Sequence, residues 1–411
     1  MLLSSQSSFL GFFFLSSVCH GVAGQSFTIP STWQNTTSSL SRTDRAQIAR
    51  DAIGQLAPLI DSATGTIDSA LTTLNATASL FASFALNDWI TGDTTYKSIV
   101  VSNVPTFLGL QPDLGVASDS AIWGLTAYYT FRAYNDSSFL HTATNAWDYA
   151  SRHLITDAQV GAGSHPTRDF ELPTQCNGSS VAGGVFSTED SSDGAVNGET
   201  VGPFLALSAY LAEATSNSTY SSAAELSAAF IRDHLFNGTV VSYDFDVKAC
   251  QVSAADFVFT HDSGFAIEGY SPYIHFQVLS NSLHSAESLV ATSVPFPAWT
   301  NPDGVIAEDD KTKLSKVKNG FKRIFVRALH EVWLRSDPDS DIAKFIASFL
   351  TIQFNSIQAN AKIPGSNAYS PFWDGPAFEK LHAVSQVIAL YALNSAIDIV
   401  QPASNGTASG R

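Results

Sequence analysis

The residues best placed to do chemistry lie in the octet Ala117-Ser118-Asp119-Ser120-Ala121-Ile122-Trp123-Gly124. One carboxylate, flanked by two hydroxyl residues, opens an apolar run of helical character. Facing a second carboxylate across a cleft, Asp119 would act as a proton donor or acceptor in general acid–base work. Alone at a helix start it would be a cap, where a short polar side chain meets free backbone N–H groups and negative charge suits the helix dipole. Composition by itself favours the cap, so the wider pattern has to decide.

Other chemical motifs fall away. Asp337-Pro338-Asp339-Ser340-Asp341 imitates the opening of a calcium loop, but Ile342 and Ser348 stand where Gly and Glu are needed. It reads as a turn with a helix cap. His330-Glu331 lacks the second histidine of a zinc-protease helix. The chain has no phosphate loop, Cys-x-x-Cys pair or Gly-x-Ser-x-Gly elbow, and neither metal nor cofactor is expected. Lys311, Lys313, Lys316 and Lys318, after Glu308, Asp309 and Asp310, read as a solvated helix face.

The elements that must hold such a site are helices. Ile48, Ala52, Ile53 and Leu56 mark one apolar stripe; Leu226, Ala229 and Phe230 mark another. Ile342, Phe345, Ile346 and Phe349 form a third, and Leu381, Val384, Ile388 and Tyr391 a fourth. Four segments repeat one plan of helix, short polar turn and helix: "NDWITGDTTYKSIV", "FRAYNDSSFLHTAT", "LAEATSNSTYSSAA" and "VWLRSDPDSDIAKF". Their uneven spacing fits a closed ring of helix pairs better than a strict solenoid. Between them, Val160 to Gly202 has no helical period, and "GTVVSYDFDVKACQVSAADFVFTHDSG" reads as short strands. Long ordered loops of this kind are usually functional, so the site is expected on their rim.

Length alone allows two or three domains for 411 residues, while the repeated hairpin argues for one, spanning 25–400. Charged residues make up only 14%, against about 25% in ordinary soluble domains. The net charge of −16 repels phosphate backbones, which excludes nucleic acid as a partner. Phe9 to Val18, "FLGFFFLSSV", is too short to span a bilayer and precedes the small residues Val22-Ala23-Gly24. Residues 1–24 therefore read as a secretory leader, although no Lys or Arg precedes the apolar run. Secretion gives meaning to seven glycosylation triplets, at Asn35, Asn75, Asn135, Asn177, Asn217, Asn237 and Asn405. It leaves Cys176 and Cys250 as an even pair, read as one disulfide in preference to two separate thiols. Residues 401–411 read as a polar disordered tail without a lipid-anchor signal, and no stable membrane anchor is expected.

From about Thr91 to Ile399 the chain resembles glycoside hydrolase family 76, secreted fungal and bacterial α-1,6-mannanases and related cell-wall enzymes. "GVIAED", "FKRIFVRALHEVW", "DIAKFIASFLTIQFNSI" and "FWDGPAFEKLHAVSQVIALYALNSA" resemble its Gly-Val-Leu-x-Glu, Phe-Lys-Gly-Ile-Phe-Val-Arg and Trp-x-Gly-Pro segments in order. "GGVFS" and "NGETVGPFLALSAYLAE" are similar to its Gly-Gly-Val-Phe-Trp loop and Asn-rich helix start. The resemblance implies an all-α (α/α)6 toroid of helix hairpins, with long loops and a few short strands on one rim. It also implies activity on, or binding of, α-1,6-mannan or a related cell-wall polysaccharide.

The family's Asp-Asp-Gln signature falls on Ser118, Asp119 and Ser120. By that carry-over Asp119 keeps the acid/base place and Ser118 occupies the nucleophile's, where a hydroxyl is a poor substitute. The Trp of Gly-Gly-Val-Phe-Trp is Ser187, and Thr-Tyr-Asn-Gln-Gly reads Thr260-His261-Asp262-Ser263-Gly264. Two outcomes follow. A hydrolase is rebuilt on Asp119 with Asp262 as second carboxylate, Glu189, Asp190 and Asp193 being weaker candidates; or the cleft binds glycan without cleaving it. Asp262 also reads as the cap of a helix starting near Phe265. Ser118, Trp123, Ser187, Asn197, His261 and Trp373 are the substrate-contact candidates, the two tryptophans offering flat faces to sugar rings unless they are core.

Overall fold

The computed structural model describes residues 26–67, 71, 74–111, 116–252, 258–274, 280–308 and 320–399. The leader, the lysine run 311–318, Asn405 and the tail 401–411 lie outside the described residues.

Among the described residues, twelve helices form six pairs. The inner ones are α2 (Leu74–Thr91), α4 (Ala117–Tyr134), α7 (Gly198–Thr215), α9 (Thr260–Tyr270), α11 (Lys322–Arg335) and α13 (Ala383–Ile399). Each packs against the next, and α13 returns to α2, which closes a ring. Outside it lie α1 (Arg42–Ile53), α3 (Lys97–Gly109), α5 (Ser137–Ala150), α8 (Ser218–Phe230), α10 (Ser280–Ser293) and α12 (Asp341–Ser356). The short α6 (Asp157–Ala162) belongs to a loop. This is the (α/α)6 toroid that the hairpin repeat and the resemblance led us to expect.

The two layers differ in sequence for a physical reason. An outer helix faces core on one side and water on the other, so α5 buries one stripe, Phe139, Ala143, Trp147 and Ala150. An inner helix is enclosed all round, and every residue of α9 is buried. Enclosure also demands close approach. A methyl on Gly264 of α9 would lie 2.9 Å from the Phe325 backbone of α11, so only glycine lets these two helices meet.

The hairpin turns share one construction. Asn135 ends α4 in the left-handed conformation (φ 53°), and the next residue, Asp136, caps α5 by accepting the Ser138 N–H at 3.0 Å. Ser216 and Asn217 repeat this between α7 and α8, with Asn217 accepting from Thr219 at 3.0 Å. In the rejected calcium motif, Ser340 caps α12 and Asp337 accepts the Asp339 N–H, as a turn should.

Polar side chains from the inner helices meet along the ring axis. Arg327 of α11 grips Glu268 of α9 in a buried, two-pronged ion pair, with Nη2–Oε2 at 2.6 Å and Nε 3.1 Å from both oxygens. Tyr129 of α4 donates to the same carboxylate, and Tyr391 of α13 donates to the Ser79 carbonyl of α2 at 2.9 Å. A turn further on, Arg132 holds Glu331 at 2.7 and 2.9 Å, and Arg335 holds Glu213 at 2.6 and 2.9 Å. The C-terminal end of the ring is thus filled by matched charges.

At the opposite end the antiparallel strands β1 (Ala195–Asn197), β2 (Asp244–Asp246) and β3 (Gln251–Val252) form a small sheet, and β1 runs straight into α7. Cys176 and Cys250 are bonded, which ties the long loop to the β2–β3 turn. Of the glycosylation triplets, Asn35, Asn135, Asn177, Asn217 and Asn237 are exposed, and Asn75 is half-buried in the first turn of α2. Among the described residues no helix is long and apolar enough to cross a membrane, and no cluster of His, Cys, Asp and Glu could hold a metal ion.

Candidate functional site

Six inner helices with one sense bring six N-termini to one end, where unpaired N–H groups and aligned dipoles favour negative charge. The sequence supplies it in three neighbouring first turns: Asp119 on α4, Glu199 on α7 and Asp262 on α9. Arg323 follows on α11, buried, with its Nε donating to Ser79 Oγ at 2.8 Å. Unlike the paired axis below, this end holds carboxylates in excess.

Their environments push them apart. Asp119 is half-buried, and its pKa is pushed up to about 6 by burial first and then by the charge of Glu199. Burial also acts on Glu199, but the His261 imidazole and the Arg323 guanidinium outweigh it and hold Glu199 below the usual glutamate range. His261 Nε2 lies 3.9 Å from Glu199 Oε2, too long for a hydrogen bond, and 3.5 Å from Asp262 Oδ1. Asp262 is fully buried, and burial, then Glu199 and Glu308, raise it well above the carboxylate range, toward its neutral form. Glu308 itself accepts from the Thr260 N–H at 2.7 Å and the Thr260 hydroxyl at 2.5 Å.

An aromatic wall adjoins the acids. His261 stacks on Phe321 at 3.9 Å, Phe259 lies 5.1 Å from Phe321, and Tyr243 meets Phe259 edge-on at 5.7 Å. Tyr243, Phe259 and Phe321 are half-buried, leaving apolar surface beside carboxylates. Such a mixture suits a sugar, which has apolar ring faces and hydroxyl edges.

The expected residues divide on this geometry. Asp119 and Ser118 lie half-buried inside the first turn of α4, whose cap is Val116 with no side-chain bond. The cap reading of Asp119 is therefore corrected: the helix begins two residues before it. Asp262 is corrected too. It is no cap near Phe265, since α9 starts at Thr260, and with no exposed surface beneath Gly198 it cannot reach a substrate. Trp123 is 1% exposed and stacked on Phe107 at 5.0 Å, and Trp373 is 0% exposed with Lys322 Nζ 4.6 Å from its ring centre. Neither has a face left for a sugar; both are core. His261, 2% exposed, stands behind the surface instead of on it. Asn197 is half-buried at the α7 start, and the Ser187 hydroxyl donates to the Ala195 carbonyl at 3.2 Å. Of the weaker acids, Glu189 takes a bond from Tyr149 at 2.9 Å and pairs with His153 at 3.1 Å. Asp190 and Asp193 accept bonds within their own loop.

Glu199, Tyr243, Phe259 and Phe321 were missed in the sequence. The one signal for Glu199 was an acid two residues after Asn197, matching an acid two residues after Ala117.

Gly198 explains why Asp262 stays covered. A methyl there would lie 2.7–2.9 Å from the Asp262 side chain. Gly198→Ala is expected to cost about 1–3 kcal/mol, because the overpacked acid has no room to yield. An unchanged midpoint in urea denaturation would contradict this packing.

Solved structures place the fold. A Salegentibacter sp. α-1,6-mannanase of glycoside hydrolase family 76 superposes with a TM-score of 0.72 at 16% identity, covering 87% of this chain and 100% of its own. An inactive double-aspartate variant of that enzyme is described in complex with α-1,6-mannotriose. Dfg5 from Chaetomium thermophilum, in complex with glucosamine, gives 0.67 at 16%, covering 89% and 93%. A family 76 mannosidase from Bacteroides thetaiotaomicron gives 0.64 at 12%, covering 86% and 99%. The chain thus has the (α/α)6 toroid fold of these solved structures. Within that class its fold is the one shared by the family 76 α-1,6-mannanases and Dfg5. By sequence, no family profile and no curated protein matches it.

Proposed function

We propose that this protein is secreted and acts on an α-1,6-linked mannan or related cell-wall polysaccharide, hydrolysing it with Asp119 as the proton donor. The observation that carries the reading is Asp119 itself, a half-buried carboxyl with a pKa near 6, on the end of the ring where helix N-termini converge. A general acid needs such a pKa to keep its proton in mildly acidic water and still release it to a glycosidic oxygen. The mannotriose complex of the similar Salegentibacter enzyme supports the choice of sugar. The apolar leader, the Cys176–Cys250 bond and five exposed glycosylation triplets support an extracellular setting.

A second reading keeps the sugar and drops the chemistry. It is favoured by Ser118 in the place of the family's nucleophile and by the burial of Asp262. One experiment separates them: incubate the purified protein with α-1,6-mannan, measure reducing ends, and run a mannan affinity gel alongside. Released reducing ends establish hydrolysis. A retarded band without release leaves a binding protein, and a protein that gives no release and no retardation would overturn mannan as the sugar.

A further inference from the structure

We propose that Glu199 is the carboxylate that works opposite Asp119, as the general base, and that His261 positions it from behind. This rests on the reading of the N-terminal end of the ring as a glycoside-hydrolysing site. Asp119 and Glu199 occupy equivalent first turns of α4 and α7, two inner helices in direct contact. Both side chains keep solvent exposure, 27% for Glu199, whereas Asp262 has none. Among the described residues, Glu199 is also the charged group whose field raises Asp119.

A cluster of acids alone would carry little. The independent observation is His261, which is 2% exposed, aims Nε2 at Glu199 and Asp262, and has no hydrogen-bond partner on either ring nitrogen among the described residues. Burying two unsatisfied ring nitrogens is costly unless a ligand, a water or a moving carboxylate completes them. Asn197 Oδ1 and Thr200 Oγ1, on either side of Glu199 in the chain, are likewise buried and unbonded among the described residues. The buried, unbonded Nε2 of His261, 3.9 Å from a partly exposed carboxylate, marks a place built to receive something polar.

The charged and titratable groups around Glu199 define its state. Asp119 faces it from α4, His261 and Asp262 from α9, Arg323 from α11 and Tyr243 from the strand side. Asp262 is pushed toward neutrality, so it adds little repulsion, while His261 and Arg323 favour the charged form of Glu199. A lowered acid beside a raised one divides base from acid.

The step balances as follows. A water oxygen bonds to the anomeric carbon and gives one proton to Glu199. The bond from that carbon to the glycosidic oxygen breaks, and the departing oxygen takes the proton of Asp119. Solvent then returns the proton from Glu199 to Asp119, and no oxidant, reductant or metal enters.

The test uses the full secreted chain and α-1,6-mannotetraose. Glu199→Ala and Glu199→Gln are expected to lower kcat by about 10²–10⁴-fold with KM nearly unchanged. Azide, which attacks the anomeric carbon without needing a base, should restore turnover in Glu199→Ala and yield a glycosyl azide; it should not restore Asp119→Asn. His261→Gln should move the acid limb of the kcat/KM profile to higher pH, because Glu199 loses a group that holds its pKa down. Matching circular dichroism spectra control for folding. If the parent cleaves the tetraose and Glu199→Gln stays within about threefold, well short of a general-base effect, the assignment falls while the hydrolase reading stands. If the parent binds without cleaving, or does neither, both the step and the hydrolase reading fail.

Discussion

Asp119→Asn should lower mannan hydrolysis by about 10²–10⁴-fold and at the same time stabilise the protein at neutral pH. The two effects have one origin. Burial and the Glu199 charge raise the Asp119 pKa from 3.8 to about 6, so the folded state prefers the neutral acid. The stability that comes from its raised pKa is complete below pH 3.8, and is lost as pH rises through about 6, where the folded protein must hold an unwelcome charge. Asparagine keeps the shape and never ionises, so the variant should gain on the parent across that window and hold the gain above it. After discounting for partial exposure, the gain is about 1 kcal/mol at pH 7. Thermal melts at pH 4 and pH 7 read the difference. The parent's activity should also fall as pH rises through about 6, since the acid must carry its proton, and Asp119→Asn should lose that limb. Undiminished hydrolysis by the variant would remove Asp119 from the mechanism.

Much of the fold was legible because outer helices and turns write their environment into sequence. The stripe Ile342, Phe345, Ile346 and Phe349 is buried throughout, and the two turns carrying Asn135 and Asn217 end and restart helices as their residue types demand. Inner helices are harder. α9 is enclosed on every side, so it has no polar face to set a period, and Gly264 and Gly269 weaken its local helix signal. Its start was accordingly placed five residues late, which turned Asp262 into an apparent cap.

The same masking hid the second carboxylate. Gly198, Gly202 and Pro203 give the first turns of α7 the look of a loop, and Val160 to Gly202 was read as one. Glu199 lies in that segment and also in "NGETVGPFLALSAYLAE", which resembles a helix start, but neither pattern singles it out as a site residue, although α7 begins one residue before it. Asp119 escaped because its helix opens on Ala117 and runs on without interruption by glycine until Gly124. The tryptophans misled for the opposite reason. A large aromatic near a catalytic motif suggests a sugar platform, but Trp123 fills space between α3 and α4, and Trp373 is buried against Lys322.

The axis of the ring supports the largest stability effect. Arg323, Arg327, Glu331 and Arg335 recur every four residues along α11, so one face of that helix carries four charges into the interior. Burial is tolerable there only because partners are fixed in advance: Glu268 for Arg327, Arg132 for Glu331 and Glu213 for Arg335. Glu268→Gln leaves the Arg327 guanidinium buried beside Tyr129 and Tyr391 without a counter-charge. Breaking one partner of such a pair costs about 3–5 kcal/mol, well above the overpacking cost at Gly198. Replacing both members, as Glu268→Gln with Arg327→Met, removes the stranded charge and should recover most of the loss, because the pair's attraction largely offsets its own desolvation. Guanidinium denaturation of the two single variants and the double variant measures this directly. Additive losses in the double variant would mean that the two side chains are not coupled, and would overturn this account.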